Sequence, residues 1–568
     1  MNKLRANRPA PGIYTLYVLW AIACFAFFQF VYHYHFLYQE QNQLFLWSTD
    51  YLKEYLNKPG WFACMVGDFL TQFYHLQYAG PAILTIVLLL LGHDVRRALQ
   101  YTGMKSSWIP YLVSFITMTV CAALSLYHDY RLSNILAVWG GANVFCFSTH
   151  ILTNTRFFIK KIEHMQKNGE VIEGHTLPHW ISAISIAITV PVCHWFFGSG
   201  VWTYCLLVMI GCLTYIMQPY NYLRLGSMVG MMFLLLLTKR LYFVSFEDLY
   251  TYPSFGKFVK PEMDMEKDFA VAYEYDRGNY NKVMNIVEKD EVPTKRMKFY
   301  YNLVVAQNKS LSDHILDFPD NCLGTLESID ANTSDLTIKS LGELYWLLGD
   351  MNYAERAAIL SNINSPQSRN IRQVKRMAEI NLVLGEQEAA KKYLRILQKT
   401  FVWRHWADRV FAGMGRFATA EDLATIKPYL DKQKFVNTRD TLRADDSCYA
   451  IMTELAESNP ANNLAINYML CTDLLAKNLA AFKHNYDAYY LKQPHVLYDP
   501  MYQQALILYL DSKNAPAQEW SKYVKRPEIW QRYKQYKADR GNAAFSGTYW
   551  YYYDKGIAPK ANRRTSNK

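Results

Sequence analysis

The chain has 568 residues, 51% apolar and 15% aromatic, with a net charge of +11. That length allows two or three domains, each able to bury a core of its own. The apolar load is high for a soluble enzyme, and the excess charge is uneven: residues 1–244 carry +7, while the rest carry +4 on 44 basic and 40 acidic groups. A nucleic-acid partner needs a basic stripe with exposed aromatics on the polar part, and this near-balance argues against one.

The first apolar run is Gly12 to Tyr34, preceded by Lys3, Arg5 and Arg8. It has no small-x-small cleavage site and reads as a retained signal anchor. Further spans are expected near 78–92, 108–126, 133–152, 179–197, 201–217 and 225–243, which makes seven. The second has a short dense core, Ala79 to Gly92, and needs Thr71–Tyr78 to cross about 30 Å of hydrocarbon. With the N-terminus inside, cytoplasmic segments carry Lys3, Arg5, Arg8, Arg96, Arg97, Lys105, Arg156, Lys160, Lys161, Lys167 and Arg224. External loops carry only Lys53, Lys58 and Arg131, which is the positive-inside pattern. Lys239 and Arg240 fall at the outer end of span seven. The odd count places everything after about 245 outside, so the expected location is a bacterial inner (cytoplasmic) membrane with a periplasmic C-terminal domain.

The domains expected are a transmembrane bundle over 1–244, a periplasmic helical domain over 245–555 and a disordered basic tail over 556–568. The first external segment, 35–77, places Leu44, Trp47, Tyr51 and Tyr55, then Phe62, Met65, Phe69 and Phe73, at helical spacing. Two amphipathic helices broken at Pro59-Gly60 explain that spacing. The second external loop, Tyr127-His128-Asp129-Tyr130-Arg131, sets an imidazole, a carboxylate and a guanidinium at the mouth of the bundle. The third, near Gly198-Ser199-Gly200, offers no chemistry. His33 and His35, two apart, lie on different faces of a continuous helix, so no metal site is expected there. No pattern calls for a cofactor. Seven of the ten cysteines lie in the apolar half and read as small buried thiols.

Three tail segments share one design: Ala270, Tyr273, Gly278 and Tyr280; Leu344, Leu348, Gly349, Tyr353, Ala354 and Ala357; Ala378, Asn381, Leu382, Gly385, Ala389, Ala390 and Tyr393. Each glycine falls where a helix must end and the chain turn. The spacings, near 36 and 71 residues, are close to one and two periods of a tetratricopeptide-type repeat of about 34. Ala461–Tyr486 reads as another pair turning at Lys477-Asn478, and Val496–Leu510 as a helix. The run Tyr549-Trp550-Tyr551-Tyr552-Tyr553 reads as a capping core. The fold class expected is therefore all-α: a polytopic membrane helix bundle followed by a soluble tetratricopeptide-like α-solenoid.

This plan of a long first external loop and a following extracytoplasmic domain is similar to that of the C superfamily of membrane-embedded glycosyltransferases (GT-C). It also resembles an uncharacterised family of bacterial inner-membrane proteins with a helical-repeat tail. The glycosyltransferase resemblance implies transfer of a sugar from a polyprenyl-phosphate donor on the periplasmic side. By that resemblance Glu40 is the catalytic base and Asp129 the second catalytic acidic residue. His128, Arg131, Lys239, Arg240 and Asp68 are the substrate-binding set, with the cations holding phosphate. The paired Asp-Glu of some members reads here as Gln39-Glu40, and the external loops hold no Asp-x-Asp.

Each residue also has a plain reading. Asp129 can be a solvated charge or the partner of a nearby arginine, Glu40 an interface marker, Lys239-Arg240 a snorkelling or lipid-contacting pair, and Asp68 a residue that caps or orients a helix. A non-enzymatic, membrane-anchored repeat scaffold for envelope assembly or secretion, with a protein partner on the helical repeats, is the competing function. A transporter is disfavoured because the spans show no internal repeat.

Overall fold

The structure is a computed structural model. It describes residues 11–102, 104, 106, 108–166, 179–214, 221–238, 262–308, 311–318, 333–365, 368–437, 447–493, 498–540 and 542–556. Lys239, Arg240 and the tail beyond Gly556 lie outside the described residues. Among those described, the chain is helical with no strand. It divides into two compact units, Met1–Glu266 with Lys399–Val402, and Lys267–Gln398 with Trp403–Lys568.

The first unit is built from α1 (Pro11–Phe30), α2 (Tyr34–Gln41), α3 (Thr49–Tyr55), α4 (Trp61–Thr71), α5 (Ala79–Tyr101), α6 (Ile109–Leu124), α7 (Leu132–Gln166), α8 (His179–Phe197), α9 (Gly200–Thr214) and α10 (Asn221–Thr238). α5 packs on α1, α6 and α7; α7 packs on α4, α8 and α9; α8 packs on α10. Leu88, Leu91, Ala98, Ile135, Ala142 and Val190 form part of the core between them. The outward faces are apolar too. Leu16, Leu19 and Ile22 on α1, Ile86 and Leu90 on α5, Ile116 on α6, Ile188 on α8 and Phe233 on α10 are all exposed. A helix apolar all round is one that is buried or meets lipid.

Two helical stretches, Gly12–Phe30 and Leu132–Leu152, are long and apolar enough to cross a membrane. Four of the expected spans are shorter apolar helices, Ile109–Leu124, Ile181–Phe197, Gly200–Thr214 and Asn221–Leu237. At 1.5 Å per residue, a helix like α6 is about 24 Å long. The second expected span grows in the other direction from that anticipated. Tyr78 takes a left-handed φ of 69° and breaks the chain, and α5 continues past Gly92 to Tyr101. This extension carries Asp94, whose carboxylate accepts hydrogen bonds from Trp139 Nε1 (2.8 Å) and Asn143 Nδ2 (3.0 Å) of α7.

The first apolar run also ends early. α1 stops at Phe30 and α2 restarts at Tyr34, so His33 and His35 do not share one continuous helix. The turn at Pro59-Gly60 is present. Gly60 (φ 77°) and Gly198 (φ 53°) approach so closely that a Cβ on either would lie 3.2 Å from the other's Cα.

The second unit is a succession of packed helix pairs. α11 (Met263–Asp276) enters it, followed by α12 (Tyr280–Lys289), α13 (Lys295–Gln307) and α14 (Leu311–His314). Then come α15 (Asp335–Leu348) with α16 (Met351–Asn364), α17 (Ile371–Leu384) with α18 (Gln387–Leu397), and α19 (Arg404–Gly413) with α20 (Ala420–Lys432). α21 (Cys448–Ser458) pairs with α22 (Asn463–Leu475), before α23 (Leu479–Ala488) and α24 (Pro500–Ser512). Gly349 (φ 94°) and Gly385 (φ 79°) end α15 and α17 in the left-handed conformation that glycine adopts without cost. Asp350 then caps α16, accepting from Tyr353 N at 3.0 Å. At Lys477 (φ 57°) a lysine takes the same left-handed turn, and Asn478 caps α23 through Ala481 N at 3.0 Å.

The aromatic run is core. Tyr549, Trp550, Tyr551 and Tyr552 are buried, and Tyr549 and Tyr552 donate to the carbonyls of Leu474 (2.9 Å) and Leu475 (3.1 Å). Charges are buried as well. The Glu343 carboxylate receives Arg372 at 2.9 Å and Arg376 at 2.7 Å. Arg372 also meets Asp276 at 3.2 Å. Glu379 receives Lys375 at 2.6 Å and Arg376 at 2.9 Å.

Candidate functional site

The polar centre of the first unit lies where α2, the 127–131 loop and residues 262–266 meet. α2 settles there because Phe36 packs into the space left by Gly80 of α5, where a Cβ would lie 2.8 Å from the ring. Gln39 Nε2 then donates to the carbonyls of His128 (3.0 Å) and Tyr130 (3.2 Å), pinning the loop to the helix. The ring of His128 lies edge-on to Tyr38, centroids 6.2 Å apart.

The imidazole of His128 stands between two carboxylates. Nε2 is 3.5 Å from Asp129 Oδ2, and Nδ1 is 3.5 Å from Glu262 Oε2. The Asp129 side chain is 54% exposed and that of His128 19%. The row therefore runs from an open carboxylate through a shielded imidazole to a second carboxylate. Such an arrangement can accept a proton at Asp129 and pass it along toward Glu262, whose side chain is 37% exposed, and contacts of this length commonly shorten once a substrate is bound.

Four residues onward, Glu266 is buried and accepts the backbone N–H groups of Tyr34 and of His35 (3.0 Å) at the start of α2. Burial pushes its carboxyl up to about 8, against the pull of these two donors. His35 is buried beside it, and Nδ1 donates to the carbonyl of Tyr32 at 2.7 Å. A carbonyl only accepts, so the proton is on Nδ1. Burial drives the His35 imidazole down to about 3, with His33 and His128 adding to the effect.

The anticipated residues divide into two groups. His128 and Asp129 come together, with Glu40 on the helix that Gln39 ties to their loop. Glu40 itself is only 3% exposed, so it is a buried group and Asp129 the accessible one. Asp68 sits elsewhere, on α4, accepting from Tyr55 OH of α3 at 2.8 Å, while its backbone carbonyl accepts from Gln43 Nε2 at 3.0 Å. Tyr55 in turn has its phenol held well above the usual range by burial and by Asp68. Arg131 is half-buried where its carbonyl receives Asn134 N at 3.0 Å, and its charge reaches the Cys64 thiol of α4. Lys239 and Arg240 lie outside the described residues. Among the described residues no three His, Cys, Asp or Glu side chains gather as metal ligands would.

Glu262 and Glu266 were not singled out as site residues from the sequence, and Gln39 was noted only as the neighbour of Glu40. Glu262 and Glu266 lie more than 130 residues beyond the 127–131 loop, and their i, i+4 spacing at the start of a helix is ordinary N-terminal helix chemistry. Gln39 differs from its acidic neighbour only by an amide. No curated protein and no solved structure matches this chain. Residues 10–556 match a family of unknown function (DUF6057), and the chain belongs to that family.

Proposed function

We propose that the chain is a multi-pass membrane protein that transfers a sugar from a polyprenyl-phosphate donor to a hydroxyl acceptor at the external membrane surface. The observation that carries this reading is the Asp129–His128–Glu262 row on the loop pinned to α2. In an inverting transfer the acceptor oxygen bonds to the anomeric carbon and the bond from that carbon to the phosphate oxygen breaks. Its electron pair leaves with the polyprenyl phosphate, and the acceptor proton goes to a carboxylate. Asp129, open and backed by His128, suits that proton. Buried Glu40, one residue from Gln39, suits a positioning role rather than the base. Arg131 and, beyond the described residues, Lys239 and Arg240 supply cations for the leaving phosphate.

The apolar outer faces of α1, α5, α6, α8 and α10 support a lipid setting, and seven spans account for both these helices and the loop charges. The packed helix pairs with left-handed turns at Gly349 and Gly385 support a tetratricopeptide-like solenoid, and an odd number of spans would put it on the same external side. The test is transfer from a labelled polyprenyl-phosphate sugar in membranes holding the full chain. Asp129→Asn should lower the rate by about 100-fold or more while leaving expression intact. Wild-type transfer in that variant removes the row from the chemistry.

The second reading is an anchored scaffold. It is favoured by Asp68 and Glu266, each engaged in holding its own neighbouring helices. An absence of transfer from every polyprenyl donor tried, together with a retained cellular phenotype for the Asp129→Asn chain, selects it.

A further inference from the structure

The second unit carries a row of four half-buried rings, Trp346, Tyr429, Trp406 and Trp403. Successive centroids are 6.5, 6.5 and 6.1 Å apart. Cations lie over these rings. Arg376 is 4.4 Å and Lys432 5.0 Å from the Trp346 centroid, and Lys375 is 4.6 Å from Trp403 and 5.1 Å from Trp406. The carboxylates beneath are fully used. Asp276, Glu343 and Glu379 balance Arg372, Arg376 and Lys375 charge for charge.

Lys432 is left over. Its Nζ donates to the carbonyl of Leu347 at 3.3 Å and faces the Trp346 ring, and among the described residues no carboxylate stands within ion-pair reach of it. Burial, then the neighbouring Arg376 charge, lowers its ammonium to about 7, and Glu343 offsets this only in part. A methionine would fill the same space against Trp346 without that electrostatic penalty. A second cation, the exposed Arg277, lies 5.5 Å over the far ring of the row, Trp403.

We propose that Lys432 and Arg376, framed by Trp346, bind the phosphate or carboxylate group of an anionic ligand. The anion would supply the counter-charge the cluster lacks, and Lys432 would take up a proton as it binds. The half-exposed rings beside it would cover the apolar part of the ligand. This site is independent of the transfer reading and stands if that reading fails.

The test uses the full chain in discs of neutral lipid, with competitive acetylation of lysines followed at the Lys432 peptide across pH. Inorganic phosphate, glucuronate, and discs carrying an anionic phospholipid form three arms. Protection should raise the Lys432 midpoint by about one pH unit, a roughly fivefold fall in reactive amine at pH 7. A shift with phosphate or glucuronate identifies a soluble ligand, and a shift only in anionic discs identifies a lipid headgroup. Either result supports the site. No shift in any arm overturns it. The Lys432→Met chain should keep its helical circular dichroism and lose any phosphate-dependent rise in Tm, and a Tm rise that persists in it also counts against the site.

Discussion

In the second unit a buried carboxylate such as Glu343 faces two guanidinium groups. In the first unit the buried Glu266 and Asp68 face backbone N–H groups and a tyrosine hydroxyl. Paired charges stay charged and behave as structural members. Glu266 has lost water and gained only neutral donors, and its carboxyl moves up toward the pH at which cells live, which is where proton chemistry is done. The contrast separates a network that holds helices together from a cluster whose protonation can change.

The sharpest way to break this contrast is to remove one carboxylate from each unit. Glu343→Gln leaves Arg372 and Arg376 buried with less counter-charge and should cost about 3–5 kcal/mol in denaturant unfolding. A second structural test lies at Gly349. A Cβ there would come within 2.2 Å of the Phe435 carbonyl oxygen in a left-handed conformation. Gly349→Ala should therefore destabilise by about 2–3 kcal/mol, read as a lowered Tm. Asp68→Asn keeps an acceptor for Tyr55 and should cost about 1 kcal/mol. If Asp68→Asn costs as much as Glu343→Gln, the two units do not differ in the way described.

The pH dependence sharpens the same point. Glu266 keeps its proton in the fold up to about 8, whereas in the unfolded chain it is released near the ordinary 4.5. The folded state binds the extra proton in that window. Its contribution is thus full below pH 4.5 and lost as pH rises through 8. His35 has the opposite sign, because the unfolded imidazole binds a proton near 6.5 and the folded one only near 3. Its stabilising effect is present above 6.5 and lost as pH falls toward 3. Hydrogen exchange at the α2 amides should therefore quicken from pH 6 to pH 8.5, after correction for intrinsic exchange, and Glu266→Gln should flatten that rise. An unchanged slope in the variant assigns the effect elsewhere.

Much of the helical layout was legible in the sequence because helix ends are local events. Gly278, Gly349, Gly385, Lys477-Asn478 and Pro59-Gly60 announce turns through backbone chemistry that needs no distant partner. The break after Phe30 was not legible, because residues 31–35 (Val-Tyr-His-Tyr-His) continue the aromatic run with no glycine or proline to mark a turn. The extension of α5 was hidden by Asp94, whose cost is cancelled by Trp139 and Asn143, 45 and 49 residues away. In the candidate site, His128 and Asp129 could be found as a polar island in an apolar half. Glu262 and Glu266 could not, since nothing local distinguishes them from any acidic first turn.

The account turns on sidedness: the 127–131 loop and the second unit must both lie outside the cytoplasm for a lipid-linked donor to be met there. Alkaline phosphatase and green fluorescent protein, each fused after Gly556 in a bacterial host, test this most directly. The account predicts an active phosphatase and a dark fluorescent fusion. A bright fluorescent fusion with inactive phosphatase would contradict it.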